Sequence, residues 1–420
     1  MSTNTGSTAQ HSNFWALLVG INKYEAVPNL RGCVNDVRAM HDFLVRNLMV
    51  PKQHIRSLTT DNPGALPTRH RIINTFQDFL INNPHIQYGD QILFHFSGHG
   101  SQIRDTTGLE PDGYSETLVA MDSRHDGVWD IPDKTLAALL DQLIEKKGEN
   151  ITVILDCCHA GSGTRKVANA ETALVRQVAP DDRLLPSDLD VAILAKTSRR
   201  YTGFLGCSTR RIPYTLLAAC RDREQASEHP VVEAETSTSI WHGVLTYFTL
   251  DAMRRMRPGT SYAQLCEQVA VKVNGLYPQM PQCEGQRERE VFGHSQVERD
   301  PFILVKNNLG QITVEAGLIH QLHPGDKLAL YSHEVMTKAD LPPTSLATIE
   351  IASVSPTTSQ AKVVEGDKPI PTLTQGLVTE ITYLGQRQTV VLHAATIDDK
   401  GDPLANQQIS ANPSAVHSLC

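Results

Sequence analysis

The 420-residue sequence predicts an α/β fold, a mainly parallel sheet between helices, followed by a small all-β C-terminal domain. Three observations carry this. Strand and helix signals alternate through the first 160 residues or so, which is the pattern of crossover connections in a two-sided sheet. Two of the strands, QILFHF (91–96) and ITVILD (151–156), are nearly unbroken apolar runs, as strands covered on both faces are. After Asp300 the texture changes to short β-rich runs separated by Gly, Pro, Asn and Asp.

Taken in order, residues 1–13 form a polar leader, and FWALLVGI (14–21) reads as the first strand. Val34 to Leu48 follows as an amphipathic helix, with Val37, Met40, Phe43, Leu44 and Leu48 on one face. His54 to Leu58 is a short strand, and Thr68 to Ile81 a helix striped by Ile72, Ile73, Phe76, Phe79 and Leu80. Strand 91–96, helix Thr135–Glu145 and strand 151–156 continue the alternation. From 163 to 206 the periodicity breaks, and an irregular loop is expected. YTLLAAC (214–220) restores a strand, and helices are expected over 243–256 and 261–276. These elements make one domain, 14–300. Residues 301–385, with PFILVKN, QITVEAG, DKLALYS, ATIEIAS, AKVVEGD and LVTEITY, make the β-rich domain, and 386–420 is a tail of no assigned role.

A net charge of -8 argues against nucleic acid or an anionic membrane as partner, and no apolar run approaches a membrane span. The first twelve residues lack the basic start and apolar core of a signal peptide. The eight cysteines show no close zinc-type spacing. Reduced thiols in a cytoplasmic protein are therefore expected.

Chemistry concentrates at two strand ends. ITVILD runs into Cys157, Cys158, His159 and a glycine, so a strand delivers thiols to its own carboxyl end. Two readings fit this end: a presented nucleophile, or a pair of small core residues, since free cysteine is among the most buried types. QILFHF runs into SGHGS, which puts Ser97 and His99 on a glycine-flanked turn. In a parallel sheet both ends share one edge, where ligands bind. An imidazole there can act as general base and later acid for a thiol. Gly98 and Gly100 free the backbone to aim an N–H at an oxyanion.

HFSGHGS together with ILDCCHAGS resembles the metacaspases and their relatives among the caspase-like cysteine peptidases. ALLVGINKY, LRGCVNDV, DGYSETLVAMD, LLAACRDREQASE and PQCEG extend the likeness, in order, over residues 14–300. The resemblance implies a caspase-like sandwich and a monomeric endopeptidase working through a thioester. It implies Cys158 as nucleophile, His99 as base, and the backbone N–H groups of Gly100 and Cys158 as oxyanion donors. Cys33, Asp36, Ser97 and Asp156 match the positions that line the family's primary specificity pocket. Two acids there favour Arg or Lys before the cleaved bond. Protein or peptide substrates with Arg or Lys at that position are thus the expected partners.

Calcium is where the chain departs from the family's pattern. Ser115 stands in GYSE where an Asp is expected, Lys134 in the acidic pair, and Arg165 at the last ligand position. Calcium takes several hard oxygen ligands, so little or no calcium dependence and no cofactor are expected. The irregular segment holds Arg165, Lys166, Arg176, Arg183, Lys196, Arg199 and Arg200, which are candidate self-cleavage positions if the loop is exposed. The alternative from another class is an inactive caspase-like scaffold that recruits partners through the β-rich domain.

Overall fold

The computed structural model describes residues 13–104, 113–158, 173–183, 186, 189–195, 212–220, 224–232, 239–297, 302–317, 322–335, 340–355, 358–366 and 369–380. Of the sequence expectations, the leader up to residue 12, the tail and the basic positions Arg165, Lys166, Lys196, Arg199 and Arg200 lie outside them.

The described residues form two compact units divided between Phe302 and Ile303, with His333–Leu341 belonging to the first. In the first unit, strands β1 (Phe14–Gly20), β2 (Ile55–Thr59), β3 (Gln91–Ser97), β4 (Gly100–Arg104), β5 (Tyr114–Leu118), β6 (Ile131–Pro132) and β7 (Ile151–Asp156) occupy the amino-terminal half. The short β8 (Leu174–Val175), then β9 (Thr215–Ala218), β10 (Ser227–Val232), β11 (Ser239–Gly243) and β12 (Gln282–Gly285), complete the set. The helices are α1 (Cys33–Arg46), α2 (Arg69–Thr75), α3 (Asp133–Lys147), α4 (Val191–Leu194), α5 (Val244–Arg255) and α6 (Tyr262–Leu276). The principal sheet runs β12-β9-β7-β3-β1-β2. Every pairing in it is parallel except that of β12 with β9.

Alternation along β1 shows why the sheet is sandwiched. Trp15, Leu17 and Val19 join one core with side chains of α2 and α3, while Phe14, Ala16 and Leu18 join another with α1, α5 and α6. All seven β1 residues are buried, and so are all seven of β3 and all six of β7. The expected helix at 68–81 divides into α2 and a π-helical turn over Phe76–Ile81, still burying Ile72, Ile73, Phe76 and Leu80. Thr68 caps it by accepting a hydrogen bond from the Arg71 amide. Within 163–206, expected to be irregular, the described residues include β8 and the single helical turn α4.

Two small sheets flank the carboxyl edge, β4-β5-β6 and β11-β10-β8. Pro230 interrupts the strand signal of β10; it lies opposite Trp241 of β11 and beyond Ser227 and Glu228, the two residues that pair with β8.

The second unit is a closed barrel of β13 (Phe302–Asn308), β14 (Gln311–Val314), β15 (Lys327–Ser332), β16 (Ala347–Val354), β17 (Ser359–Glu365) and β18 (Leu373–Glu380). Val305, Ile312, Val314, Leu328, Leu330, Ile349 and Ile351 fill it. Closure removes the exposed edges an open antiparallel sheet would leave. Among the described residues no helix is long and apolar enough to cross a membrane.

Candidate active site

Strands β1, β3 and β7 end in register, with Gly20 opposite Ser97 and Ser97 opposite Asp156. This places the SGHG turn and the cysteine pair side by side at the carboxyl edge. Cys157 belongs to the core packed against α2 and α3, and burial first, then Asp156, pushes its thiol well above the usual range. Cys158 points to the opposite side, where its thiol donates to the Glu224 carbonyl at 3.0 Å. The pair therefore divides between two faces, as consecutive residues leaving a strand do.

His99 is held on two sides. Its backbone N–H donates to the Tyr24 hydroxyl at 2.8 Å, and Nε2 lies 2.9 Å from the Pro28 carbonyl. A carbonyl only accepts, so Nε2 carries the proton and Nδ1 the lone pair. Nδ1 is buried and, among the described residues, makes no hydrogen bond. Burial, only partly opposed by the Pro28 carbonyl, pushes the imidazole down to about 4, so it is neutral at physiological pH. A neutral ring with one nitrogen anchored and the other lone pair free is equipped to take a proton.

Residues 173–183 of the segment expected to be an exposed loop are instead laid through this edge. Leu174 and Val175 pair antiparallel with Glu228 and Ser227, and the Arg176 amide donates to the Ala226 carbonyl at 2.9 Å. The Arg176 carbonyl then accepts from the backbone N–H of Gly100 at 3.1 Å and of Cys158 at 3.2 Å. Beyond it, Gly100 bridges Gln177, the Val178 amide donates to the Gly100 carbonyl, and the Ser101 hydroxyl meets the Val178 and Ala179 carbonyls. Arg124 Nη1 donates to the same Ala179 carbonyl at 2.7 Å. A Cβ on Gly100 would lie 1.9 Å from the Cys158 carbonyl oxygen, so only glycine allows this approach.

Arg176 is fully buried, which corrects the expectation of an exposed basic residue. Its guanidinium fills the acidic pocket: Nη1 lies 2.8 Å from Ser97 Oγ and 3.2 Å from Asp156 Oδ1, the latter an ion pair without hydrogen-bond alignment. Nη2 lies 2.7 Å from Asp36 Oδ2 and 3.3 Å from Glu228 Oε2. Burial of a cation is tolerable here because three carboxylates surround it. Desolvation works against its charge, and Asp156, Cys33, Asp36 and Glu228 outweigh it. Arg183, by contrast, is partly exposed and paired with Asp181 at 2.6 Å.

Each pocket wall is fixed from behind. Burial raises the Asp36 carboxyl, but Arg176 and His242, with His242 Nδ1 at 3.0 Å, bring it below the usual range. The Gly243 amide also donates to Asp36, and a Cβ on Gly243 would strike both Arg176 and Asp156. Asp156 Oδ2 accepts from the amide and hydroxyl of Thr246 in the first turn of α5, although burial still raises its carboxyl. Cys33 Sγ stands 3.9 Å from Glu228 Oε2.

All four pocket positions expected from the sequence thus converge. Glu228, His242, Gly243 and Thr246 are additions, supplied by segments some 200 residues from Asp36; only Glu228, in the AACRDREQASE motif, left a sequence trace. Ser115 is buried in β5, and Lys134 lies in the first turn of α3.

Over residues 15–166 the sequence matches the family described as metacaspase, peptidase C14 domain. It is 26% identical over 290 residues to Metacaspase-1A of Aspergillus niger, covering 64% of this chain and 69% of that protein. It is 30% identical over 288 residues to Metacaspase-1B of Neosartorya fischeri, covering 64% of this chain and 67% of that one. The chain spans about two thirds of the length of these relatives. A crystal structure of protein GSU0716 from Geobacter sulfurreducens aligns over 64% of this chain and 92% of its own, with 18% identity and a TM-score of 0.42.

Proposed function

The chain belongs to the metacaspase family of cysteine-type peptidases, and from that premise we propose that it is an endopeptidase that cuts after Arg or Lys. Cys158 is the nucleophile and His99 the base in this reading, and the chain's own Arg176–Gln177 bond is a substrate. The observation that supports it is the pose of Arg176. Its side chain sits among carboxylates while its carbonyl is gripped by two backbone N–H groups.

The chemistry follows from that pose. The Cys158 thiol, which rests on the Glu224 carbonyl, turns to Nδ1 of His99, which takes its proton as sulfur bonds to the carbonyl carbon. The carbonyl oxygen becomes an oxyanion, and the Gly100 and Cys158 N–H groups strengthen their hold on it. The intermediate collapses with rupture of the C–N bond, and His99 returns its proton to the Gln177 nitrogen. Water, deprotonated by His99, then cleaves the thioester and releases an Arg carboxylate. Antiparallel pairing with β10 on one side of the bond and backbone contacts to β4 on the other hold the peptide for attack.

Little or no calcium requirement is part of the proposal, resting on Ser115, Lys134 and Arg165 at the family's ligand positions. Chelator should leave peptide hydrolysis unchanged against millimolar calcium.

The test is intact mass of purified wild type beside Cys158→Ala, together with hydrolysis of fluorogenic peptides ending in Arg, Lys, Asp or Leu. Wild type should separate under denaturing conditions into 1–176 and 177–420, the Cys158→Ala chain should stay whole, and only Arg and Lys peptides should be turned over. An intact wild-type chain that hydrolyses none of the peptides would leave a scaffold, and preference for Asp would overturn the pocket.

A further inference from the structure

Resting on that reading of the pocket, we propose that Glu228 is the residue that makes it select arginine over lysine. The argument starts from what the pocket touches. Among the described residues, Nε of Arg176 has no hydrogen-bond partner. All recognition falls on the two terminal nitrogens, split between opposite sides. Nη1 faces Ser97 Oγ, the Asp156 carbonyl at 3.1 Å and Asp156 Oδ1. Nη2 faces Asp36 Oδ2 and Glu228 Oε2.

A lysine offers one nitrogen, at about the place of the guanidinium carbon and one bond short of either Nη. It cannot meet both sides at once, and its three donors radiate from a point rather than a fork. Selection for arginine therefore depends on how fully the Nη2 side is built. Asp36 supplies one acceptor there but also receives Ser97, His242 and Gly243. Glu228 supplies the other.

Glu228 is fully buried and preorganised for the task. Oε1 accepts from the Arg31 amide at 2.7 Å, and Oε2 from the Gly32 amide at 3.0 Å, at the mouth of α1. Its backbone lies on β10 opposite Leu174, so the strand that receives the peptide main chain also carries the carboxylate that reads its side chain. Without that carboxylate, one Nη2 hydrogen of an arginine would be buried unpaired, whereas a lysine, which does not reach it, would lose less.

The experiment compares Glu228→Gln with wild type in two readouts. The first is kcat/KM on matched peptides ending in Arg or Lys. The second is calorimetric binding of N-acetyl-Leu-Val-Arg-amide and its Lys counterpart to Cys158→Ala/Arg176→Ala protein, in which the pocket is vacated and turnover removed. Glutamine keeps the shape and one acceptor for the loop amides, and a melting curve verifies folding. The Arg-to-Lys ratio should fall about tenfold, about 1.4 kcal/mol, in both readouts. Glu228→Asp, which withdraws the carboxylate by one methylene, should fall between. If Arg and Lys weaken equally, Glu228 merely fastens the loop before α1 and the assignment is overturned. Absence of turnover in wild type would count against the peptidase reading alone, because the binding ratio still decides the role of Glu228.

Discussion

Arg176→Ala, made in a Cys158→Ala background so that the chain stays whole, removes the cation from a pocket with three buried carboxylates. Arg176, Asp36 and Asp156 have no exposed side-chain surface, and the ion-pair separations are 2.7, 3.2 and 3.3 Å. Removing one partner from such a cluster costs about 3–5 kcal/mol, because the carboxylates left behind keep their hydrogen bonds to His242, Gly243, Thr246 and the Arg31 and Gly32 amides but lose their main counter-charge. Water entering the vacated space moves the value toward the lower end. For a unit of this size, that is a fall in Tm of order 10 °C. The loss should depend on pH. In the parent, Arg176 and His242 hold Asp36 below its ordinary 3.8 despite burial, so its contribution is lost only as pH falls below that value. In the variant, burial, which already raises Asp156 in the parent, acts on both aspartates with the main cation gone, and the folded state keeps more of the protons that the unfolded chain has released above pH 3.8. Stability of the variant then declines as pH rises, so the gap to the parent should be wider at pH 8 than at pH 5. N-acetyl-arginine amide at about a hundred times its dissociation constant should return about 2.7 kcal/mol. Urea unfolding at both pH values, with and without that ligand, is the assay. A gap below about 1 kcal/mol, the same at both pH values and unmoved by the arginine amide, would refute the reasoning.

Gly100→Ala should reduce peptide hydrolysis by about 10²–10³-fold while the chain stays folded. Its Cβ meets the Cys158 carbonyl, and relief must displace one of the two amides that grip the scissile carbonyl; steady-state kinetics with a circular dichroism control check this. His95 and His99 are both pushed from 6.5 to about 4, by burial above all. Between those values the unfolded chain takes up protons that the folded one refuses, so stability should fall with falling pH, by about 2 kcal/mol per histidine from pH 7 to pH 5. His95→Gln, which keeps a polar group near the Thr246 hydroxyl that His95 contacts at 3.1 Å, should remove its share of that slope in urea titrations.

The local grammar of this chain is legible in its residues. Seven buried residues in β1, seven in β3 and six in β7 read as strands because a two-sided sheet demands continuous apolar runs. The stripe of α1 reads as a helix because Val37, Met40, Phe43 and Leu44 recur at its period. Short pairings were less legible. β8 is two residues long, and β10 carries Pro230, so neither has a period to detect. The neighbours of Cys158 and His99 were foreseeable, because each ends a strand and a parallel sheet brings such ends to one edge.

Residue pattern alone carries the alternating sheet and helices and the β-rich second unit, and the metacaspase resemblance adds the meeting of a cysteine, a histidine and two acids at one edge. Only the tertiary structure decided what lies in the acidic pocket and how many acids it holds. Arg176 reads as one basic residue among seven in an aperiodic stretch. Its burial comes from Asp36, Ser97, Asp156 and Glu228, which lie 140, 79, 20 and 52 residues away in sequence. A lone arginine buried without them would be prohibitively costly, and with them its two terminal nitrogens meet three carboxylates. Periodicity reports which face of an element is apolar. It carries no record of which distant carboxylates a loop will meet, and here that meeting defines the pocket.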